Sequence, residues 1–369
     1  MTTLAVLAIL GALVLHLASA WLVARRYRAP APRVAPGDMP RVTLLRPVRG
    51  LEYGLEQTLE SGFRQDAPGY DLIHCIEDAD DPAIPVLRRL MQAHPQVPAQ
   101  LLIGRDVISG NPKLNNLVKG WAAAGGEWVV MADSNLLLPP DYLRQVLAGR
   151  GPGVGMVSSP GVGVQPDGLW ARVEAGFLNT FQARWMLAGD GVGIGYAQGK
   201  TLAYPRDWLN AQGGIAALAC DLAEDIASSH LMRSRGLRVR LVPRPFAQPL
   251  GRRAFATVWG RQARWARLRR EGVTPIYALE PLGNPVVITL LLALIWPAAV
   301  PALLIVWYGT EWLLARRAGW PSGPADIAAW LLRDLLQLPL WVSGWRGAPI
   351  VWRGNQVTAT PAADGKGSG

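Results

Sequence analysis

The sequence predicts an α/β domain with a mostly parallel sheet, joined to helices that lie in or on a membrane. Short apolar runs alternate with helix-period segments over residues 38–275, a pattern typical of parallel strands with crossover helices. Long apolar runs stand on both sides of this region. Half of the 369 residues are hydrophobic and only 17% are charged, against roughly 25% in a typical soluble domain.

The first apolar run, residues 3–23, carries no charge and would cover about 31 Å as a helix, enough to cross a bilayer. Arg25, Arg26 and Arg28 follow it directly. A cleaved signal peptide has its charges before the apolar run. We therefore predict a retained transmembrane anchor over residues 1–27, with its C-terminal side in the cytoplasm.

A second apolar zone, residues 284–314, is too long for one untilted span and short for two. Pro297 and Pro301 lie in its middle. Prolines interrupt helices, so we favour a helical hairpin over one long kinked helix.

A third apolar segment, residues 327–342, has Arg333 and Asp334 near its centre. Charged side chains are costly inside a bilayer, which favours an interfacial or re-entrant helix over a true span. We predict a C-terminal membrane region over residues 276–356 and a disordered tail over residues 357–369.

Seven apolar runs are the candidate strands of the sheet, over residues 42–45, 72–76, 100–103, 128–131, 155–158, 201–204 and 239–242. Helical patterns separate them, over residues 51–63, 83–93, 112–123, 140–148, 169–187 and 220–235. Ligands of such sheets bind at the carboxyl ends of the strands, so the residues that follow each strand are the candidate site.

Acidic residues stand where two of these strands end. Asp78 and Asp81 follow the second strand, and Asp133 and Asn135 follow the fourth. A carboxylate in this position can hold Mg²⁺ or Mn²⁺, which bridges the phosphate oxygens of a nucleotide-sugar donor. We predict a metal site at Asp133, to which Asn135 adds a carbonyl ligand directly or through water.

A hydroxyl that attacks such a donor needs a carboxylate base that is not bound to the metal. Asp225, early in a predicted helix, is the candidate. Arg261 and Arg264 would neutralise the departing diphosphate, and Trp265 would supply a stacking or packing surface. The same stretch also fits a membrane-facing helix with its arginines on lipid headgroups. Both interpretations are compatible, because the stretch directly precedes the membrane region.

Residues 110–117 form a Gly-rich turn that leads into a helix and contain Lys113 and Asn115. Helix N-termini bind anions, and Lys113 would be a point charge for phosphate. The alternative is an ordinary helix start with Pro112 at an early position, and taken alone the segment favours it.

The charge balance does not require nucleic acid as a partner. The chain has 37 Lys+Arg and 27 Asp+Glu, a net charge of +10. Residues 252–270 contain seven arginines and no acidic residue. The remaining residues therefore carry only 30 against 27, or +3. One cationic band next to the membrane region explains the excess.

The order of these motifs resembles the ceramide glucosyltransferase family, glycosyltransferase family 21, within the inverting GT-A group. The similar segments are VTLLRPVRG, DADDPAI, GNPKLNNL, ADSN, LAEDIA, RQARW and a late WRG at residues 352–354. The three Asp residues and the (Q/R)xxRW motif of the family signature fall on Asp81, Asp133, Asp225, Arg261, Arg264 and Trp265. Asp78 resembles the nucleoside-binding Asp of related enzymes.

The resemblance implies a GT-A (Rossmann-like) catalytic domain over residues 28–275. It further implies that glucose passes from UDP-glucose to a lipid hydroxyl, most simply that of ceramide, with a divalent metal and inversion to a β-glycolipid. Asp225 would be the base, Asp133 would work with the metal and the diphosphate, and Asp78, Asp81, Lys113 and Asn115 would bind the donor. We expect an integral protein of the bacterial inner membrane whose catalytic domain faces the cytoplasm.

Two departures bear on the acceptor. Vertebrate members have His where Gln182 stands and Cys at or near Leu202. A related hopanoid glycosyltransferase that uses UDP-N-acetylglucosamine is therefore an alternative. A processive polysaccharide synthase is a weaker one, because it needs more membrane helices for a channel. A non-catalytic scaffold is disfavoured, because every acidic position that the chemistry needs is filled.

Overall fold

The structure, a computed structural model, describes residues 2–221, 223–346, 350–352 and 355–357. The strands in this part of the chain are β1 (Val42–Val48), β2 (Tyr70–Ile76), β3 (Ala99–Ile103), β4 (Trp128–Ala132), β5 (Val154–Ser159), β6 (Gly161–Asp167), β7 (Thr201–Pro205), β8 (Arg238–Leu241), β9 (Phe246–Arg252), β10 (Ile350–Trp352) and β11 (Asn355–Val357).

The α-helices in the same residues are α1 (Thr2–Arg26), α2 (Leu55–Phe63), α3 (Ile84–Ala93), α4 (Pro112–Ala123), α5 (Tyr142–Leu147), α6 (Leu169–Gly176), α7 (Arg184–Gly191), α8 (Arg206–Ala211), α9 (Glu224–Ser234), α10 (Phe255–Gly272), α11 (Thr274–Leu279), α12 (Pro285–Ile295), α13 (Val300–Ala318) and α14 (Pro324–Gly344). Short 3₁₀ turns occupy Pro36–Asp38, Gly214–Cys220, Glu280–Gly283 and Pro297–Ala299, and a π-helix covers Phe177–Ala183.

The chain forms two compact units. The described residues of 1–30, 162–192 and 248–348 make up one, here called the membrane unit. Those of 31–161, 193–247 and 349–369 make up the other, here called the sheet unit. The last two residues of the WRG motif and the predicted tail beyond Val357 lie outside the described residues.

The sheet unit contains a seven-stranded sheet in the order β3-β2-β1-β4-β7-β5-β8. All seven predicted strands are present, so the α/β prediction is confirmed. The pairs β1–β2, β1–β4, β2–β3 and β5–β8 are parallel, whereas β7 runs antiparallel to both β4 and β5. The sheet is therefore mostly parallel with one reversed strand.

Apolar side chains cover both faces of this sheet. Leu44 of β1 is fully buried in one core with α2, α3 and α5, while the neighbouring Leu45 is fully buried in a second core with α4. Successive residues of a strand point to opposite faces. A strand buried on both faces reads as a continuous apolar run, which is why these strands were predictable.

The membrane unit has two helices long and apolar enough to cross a membrane, Thr2–Arg26 and Pro297–Ala318. The segments Thr274–Gly283 and Pro285–Ile295 pass the same test as a pair, bent by 51°. The second apolar zone breaks at Trp296, next to Pro297, where α12 ends. The zone therefore forms two separate helices, α12 and α13, and not one continuous helix. That these helices make a hairpin stays a prediction.

The third apolar segment lies in α14, which is not among the helices of the described residues that are long and apolar enough to cross a membrane. Its Arg333 and Asp334 are each 2% exposed and pair with each other at 2.7 Å. Arg333 also pairs with Glu311 of α13 at 3.1 Å and donates to Thr180 of the π-helix. The two charges thus neutralise each other, and partners from two other helices satisfy the remaining donors of Arg333.

The predicted helix over residues 169–187 is not one regular α-helix. α6 gives way to the π-helix, and α7 continues from it. Buried Asn179 in the π-helix exchanges two hydrogen bonds with the backbone of Gly163 in β6, at 2.7 and 2.9 Å. π-Helical turns are rare and frequently functional, and nothing in the apolar pattern indicates this one.

Candidate active site

A fully buried arginine in β1 holds the backbone of the loop that follows β4. Arg46 donates to the carbonyl oxygens of Asp133, Ser134 and Leu136 at 2.9, 3.2 and 2.9 Å. It also donates to Thr58 O at 2.5 Å. Burial lowers the pKa of Arg46 to about 10, so the side chain stays charged at neutral pH. These hydrogen bonds from Arg46 therefore hold the backbone of the loop that carries Asp133 in one conformation.

A cavity lies in the sheet unit at the carboxyl ends of β1, β2 and β4. Its lining includes Arg49, Glu77, Lys113, Asn116, Asp133 and Asn135. β2 and β4 pair with β1 on opposite sides, so the strand order reverses beside β1. Ligands of open α/β sheets bind at such a reversal, as we expected from the acidic residues at these strand ends.

Two lysines hold the carboxylate of Asp133. Lys113 Nζ is 2.7 Å from Oδ1 and Lys200 Nζ is 3.0 Å from Oδ2. Burial alone would raise the pKa of Asp133, but the two ammonium groups outweigh burial and hold the pKa well below its usual value. Asp133 is thus a permanent anion with both oxygens fixed.

Lys113 uses all three of its ammonium protons within the protein. Besides Asp133 it pairs with Glu224 of α9 at 2.7 Å and donates to Gly199 O at 2.6 Å. Burial would lower the pKa of Lys113, but the two carboxylates raise it above its usual value. The predicted phosphate contact by Lys113 remains a proposal. The geometry makes the residue a link between the ends of β4 and α9.

Asp225 belongs to the same cluster through Gly199. Its Oδ2 accepts the N–H of Gly199 at 2.9 Å, and its Oδ1 accepts the N–H of Ile226 at 2.9 Å. Burial, followed by the charge of neighbouring Glu224, raises the pKa of Asp225 to about 6. A carboxylate with a raised pKa beside one with a lowered pKa is the usual arrangement of an acid–base site.

The close approach in this cluster requires glycine at position 199. A Cβ atom there would lie 2.7 Å from Glu224 Oε1 and 3.1 Å from Lys113 Nζ. The first distance is shorter than real Cβ contacts allow. The absence of a side chain at Gly199 therefore lets Lys113, Glu224 and Asp225 meet around one backbone position.

The oxygen donors predicted for a metal are present and chemically suitable. Asp133 offers a carboxylate and Asn135 an amide oxygen beside the cavity, a set that fits Mg²⁺ or Mn²⁺ with water and phosphate as the other ligands. Lys200 Nζ also lies 2.8 Å from Asn135 Oδ1. Among the described residues no group of three His, Cys, Asp or Glu side chains forms a metal cluster.

The other predicted donor-binding residues have distinct surroundings. Asp78 is exposed at the end of β2, and its Oδ1 accepts the N–H of Asp80. Asp81 is buried, and its oxygens accept the N–H groups of Gly50 and Ala83, both at 2.8 Å. Asp81 thereby ties the loop after β1 to the loop after β2.

Asn115 fixes the loop that precedes α4. Its Oδ1 accepts the N–H groups of Ile108 and Ser109, and its Nδ2 donates to Ser109 O. The helix itself begins as its sequence indicates, because the Asn111 side chain caps the N–H groups of Lys113 and Leu114 and Pro112 follows the cap. The cap and the early Pro of an ordinary helix start are therefore present, and a role of this segment in donor binding stays a prediction.

The predicted basic motif lies on α10 of the membrane unit. Arg261 pairs at 2.5 Å with Glu174 of α6, a carboxylate that is fully buried. Arg253 lies 3.4 Å from the same carboxylate. Trp265 packs against a small apolar core that includes Ala171 and Leu250. Arg261 and Trp265 thus have structural contacts within their own unit.

Comparisons with known proteins agree with the motifs. The family model described as "Glycosyl transferase family 21" matches residues 3–363. The chain belongs to glycosyltransferase family 21. Ceramide glucosyltransferase 1 of Caenorhabditis elegans is 28% identical over 257 residues, 69% of this chain and 55% of the relative. Ceramide glucosyltransferase 3 of the same organism is 24% identical over 334 residues, 86% and 72% of the two chains. The chain thus spans about half the length of the first relative.

Among solved structures, the family 21 chain is similar to the mannosyltransferase PcManGT from Pyrobaculum calidifontis in complex with GDP-Man and Mn²⁺. The TM-score is 0.57 and the identity 19%, over 91% of this chain and 98% of the mannosyltransferase. This likeness shows the GT-A fold that we predicted for the sheet and its helices.

Four residues of these clusters were not picked out from the sequence. They are Arg46, Glu174, Gly199 and Lys200. The sequence carries a signal for two of the four, Lys200 and Arg46. Lysine is rare, with four in the chain, and two of these four hold Asp133. A charged residue within the apolar run of β1 also needs a buried partner.

Proposed function

We propose that this chain is a membrane-bound inverting glycosyltransferase that moves glucose from UDP-glucose to the hydroxyl group of a lipid, with ceramide as the acceptor. Family membership supports sugar transfer, and the names of the relatives support glucose as the sugar and ceramide as the acceptor. The observation that carries the proposal is the hydrogen-bonded cluster in which Asp133 has a lowered pKa and Asp225 a raised one.

In the proposed reaction the donor occupies the cavity at the strand ends, with its uridine near Asp78 and its diphosphate near Asp133. The lipid hydroxyl oxygen attacks the anomeric carbon while Asp225 takes the hydroxyl proton. The bond from that carbon to UDP breaks, and its electron pair leaves with the diphosphate. A single displacement converts an α-linked donor into a β-linked product.

Asp133 and Asn135 are the residues that would hold Mg²⁺ or Mn²⁺, which would neutralise charge on the diphosphate. Lys113 holds the Asp133 side chain and Arg46 holds its loop. The Asp133 carboxylate therefore needs little rearrangement during the reaction. The family signature also gives Arg261, Arg264 and Trp265 a part in catalysis, which stays a prediction from the sequence.

The apolar helices support an integral membrane protein. We propose that residues 1–27 anchor the chain, that residues 28–275 catalyse and that residues 276–356 complete the membrane region. Arginines in the last turn of α1 and of α13 favour the cytoplasmic side for the catalytic domain. In a bacterial cell this places the reaction on the inner face of the inner membrane.

Product analysis tests the proposal. The full chain in detergent is incubated with UDP-glucose, UDP-galactose or UDP-N-acetylglucosamine, each with ceramide, a hopanoid alcohol or no acceptor. We expect a hexosyl-ceramide mass from UDP-glucose. A product only from UDP-N-acetylglucosamine and the hopanoid supports the alternative acceptor. A long polymer would indicate a processive synthase, and no product in any combination would contradict sugar transfer.

A further inference from the structure

Lys200 lies directly before β7, and its ammonium group contacts both oxygens that we assign to a metal ion. Its Nζ is 3.0 Å from Asp133 Oδ2 and 2.8 Å from Asn135 Oδ1. The residue is 8% exposed. The carbonyl oxygen of Lys200 also accepts the N–H of Asp133 at 3.1 Å. Both the backbone and the side chain of Lys200 thus contact Asp133.

We propose that the Lys200 ammonium group and a divalent cation are alternative occupants of this oxygen pair, so that Lys200 sets how tightly the donor site holds a metal. The inference rests on the proposed function for the presence of a metal at Asp133 and Asn135. A Mg²⁺ or Mn²⁺ ion binds oxygen at about 2.0–2.2 Å. An ammonium group on the same two oxygens would then be a like charge at very short range.

The neighbouring contacts orient the oxygen pair toward Lys200. Asn135 Nδ2 donates to Glu52 Oε2 at 2.9 Å, which directs the amide oxygen of Asn135 to the ammonium group. Lys113 holds the second oxygen of Asp133 at 2.7 Å. Asp133 therefore already has two cationic partners, and a metal ion must compete with them for the carboxylate.

The two lysines have separable roles. Lys113 also pairs with Glu224 and therefore links α9 to Asp133. Lys200 is the lysine that contacts both proposed metal ligands. Removing the charge of Lys200 should thus raise metal affinity while the link through Lys113 remains in place.

Binding of Mn²⁺ to the full-length protein in detergent, followed by the electron paramagnetic resonance signal of free Mn²⁺, tests the inference without sugar transfer. We expect Lys200→Met to bind Mn²⁺ about tenfold more tightly than the wild type, or better, because a like charge is lost at close range. Lys200→Arg keeps the charge and should bind Mn²⁺ as weakly as the wild type.

Lys119→Met is the matched control, because it removes a lysine charge from α4 whose ammonium group donates to Asn116 and not to the proposed metal ligands. It should leave Mn²⁺ affinity unchanged. Equal affinity in Lys200→Met and the wild type overturns the inference, as does equal tightening in Lys119→Met. Lys200→Gln carries the same expectation if Lys200→Met does not fold.

The Mn²⁺ measurement separates this inference from the proposed function. Tighter Mn²⁺ binding in Lys200→Met, together with no sugar transfer by the wild type, would support the inference and contradict the proposed function. Sugar transfer without a change in Mn²⁺ affinity would support the proposed function and contradict the inference.

Discussion

Replacing Asp225 by Asn removes the proposed base at nearly constant volume. Both oxygens of Asp225 accept backbone N–H groups at 2.9 Å. Asn can keep one of these two bonds through its carbonyl oxygen, so the helix start of α9 should survive. We expect sugar transfer to fall by about 10²–10⁴-fold, the usual share of general base catalysis, which corresponds to about 3–5 kcal/mol in the barrier.

The pH dependence follows from the pKa of Asp225, which burial and Glu224 raise to about 6. The base acts in its ionised form, so activity is present above this pKa and is lost as the pH falls through it. At pH 7 about nine-tenths of the groups are ionised. The wild-type kcat/KM should therefore fall about tenfold per pH unit below pH 6.

The assay is release of UDP from UDP-glucose in the presence of ceramide, measured between pH 5 and pH 8 for wild type and Asp225→Asn. Binding of UDP-glucose, measured separately by calorimetry, should change little, because the donor contacts assigned to Asp133 remain. Wild-type transfer by the variant would refute the role of Asp225. An acidic limb near pH 6 that persists in the variant would assign that pKa to another group.

Three further substitutions test the surrounding structure. Gly199→Ala should lower kcat/KM by about tenfold or more, because its Cβ would displace the side chains of Glu224 and Lys113. Gly151→Ala is the control and should have no effect, because a Cβ there meets no atom within 4 Å. Arg46→Met should cost about 3 kcal/mol or more in stability, since it leaves buried carbonyl groups without a donor, and a thermal unfolding assay in detergent measures the loss. Arg333→Met should destabilise the protein by about 3–5 kcal/mol, since buried Asp334 loses its arginine and buried Glu311 keeps only Arg184, and exposed Arg346→Met is its control in the same assay.

The strands were predictable because both faces of the sheet are buried. The sequence therefore shows a continuous apolar run at each strand, with polar residues after it. The antiparallel direction of β7 was not predictable, since an apolar run of five residues carries no information on the direction of its partner. The π-helix was missed for a similar reason, because Asn179 looks like any polar residue within a helical pattern.

The acidic residues of the candidate site were predictable from their position after strands. Their partners were not. Lys200 is 65 residues from Asn135 and Arg46 is 87 residues from Asp133, so only the folded sheet brings them together. Glu174 is a single acid in a helical pattern, and its pairing with Arg261 depends on how α6 and α10 pack.

In the third apolar segment, too, the partners of the charged residues were not predictable from the sequence. Arg333 and Asp334 argue against a membrane position when they are considered alone. Their partners, Glu311 and Thr180, lie on other helices of the membrane unit. Local hydropathy does not include the energy of such contacts. The sequence therefore predicts the helix and shows its two charged residues, but it does not predict their ion pairs and hydrogen bonds.

The anomeric configuration of the transferred sugar tests the central claim most directly. Proton NMR of the glycolipid formed from UDP-glucose distinguishes the two anomers. Direct attack by a lipid hydroxyl with Asp225 as its base predicts a β-linked product from the α-linked donor. An α-linked product would contradict this single displacement.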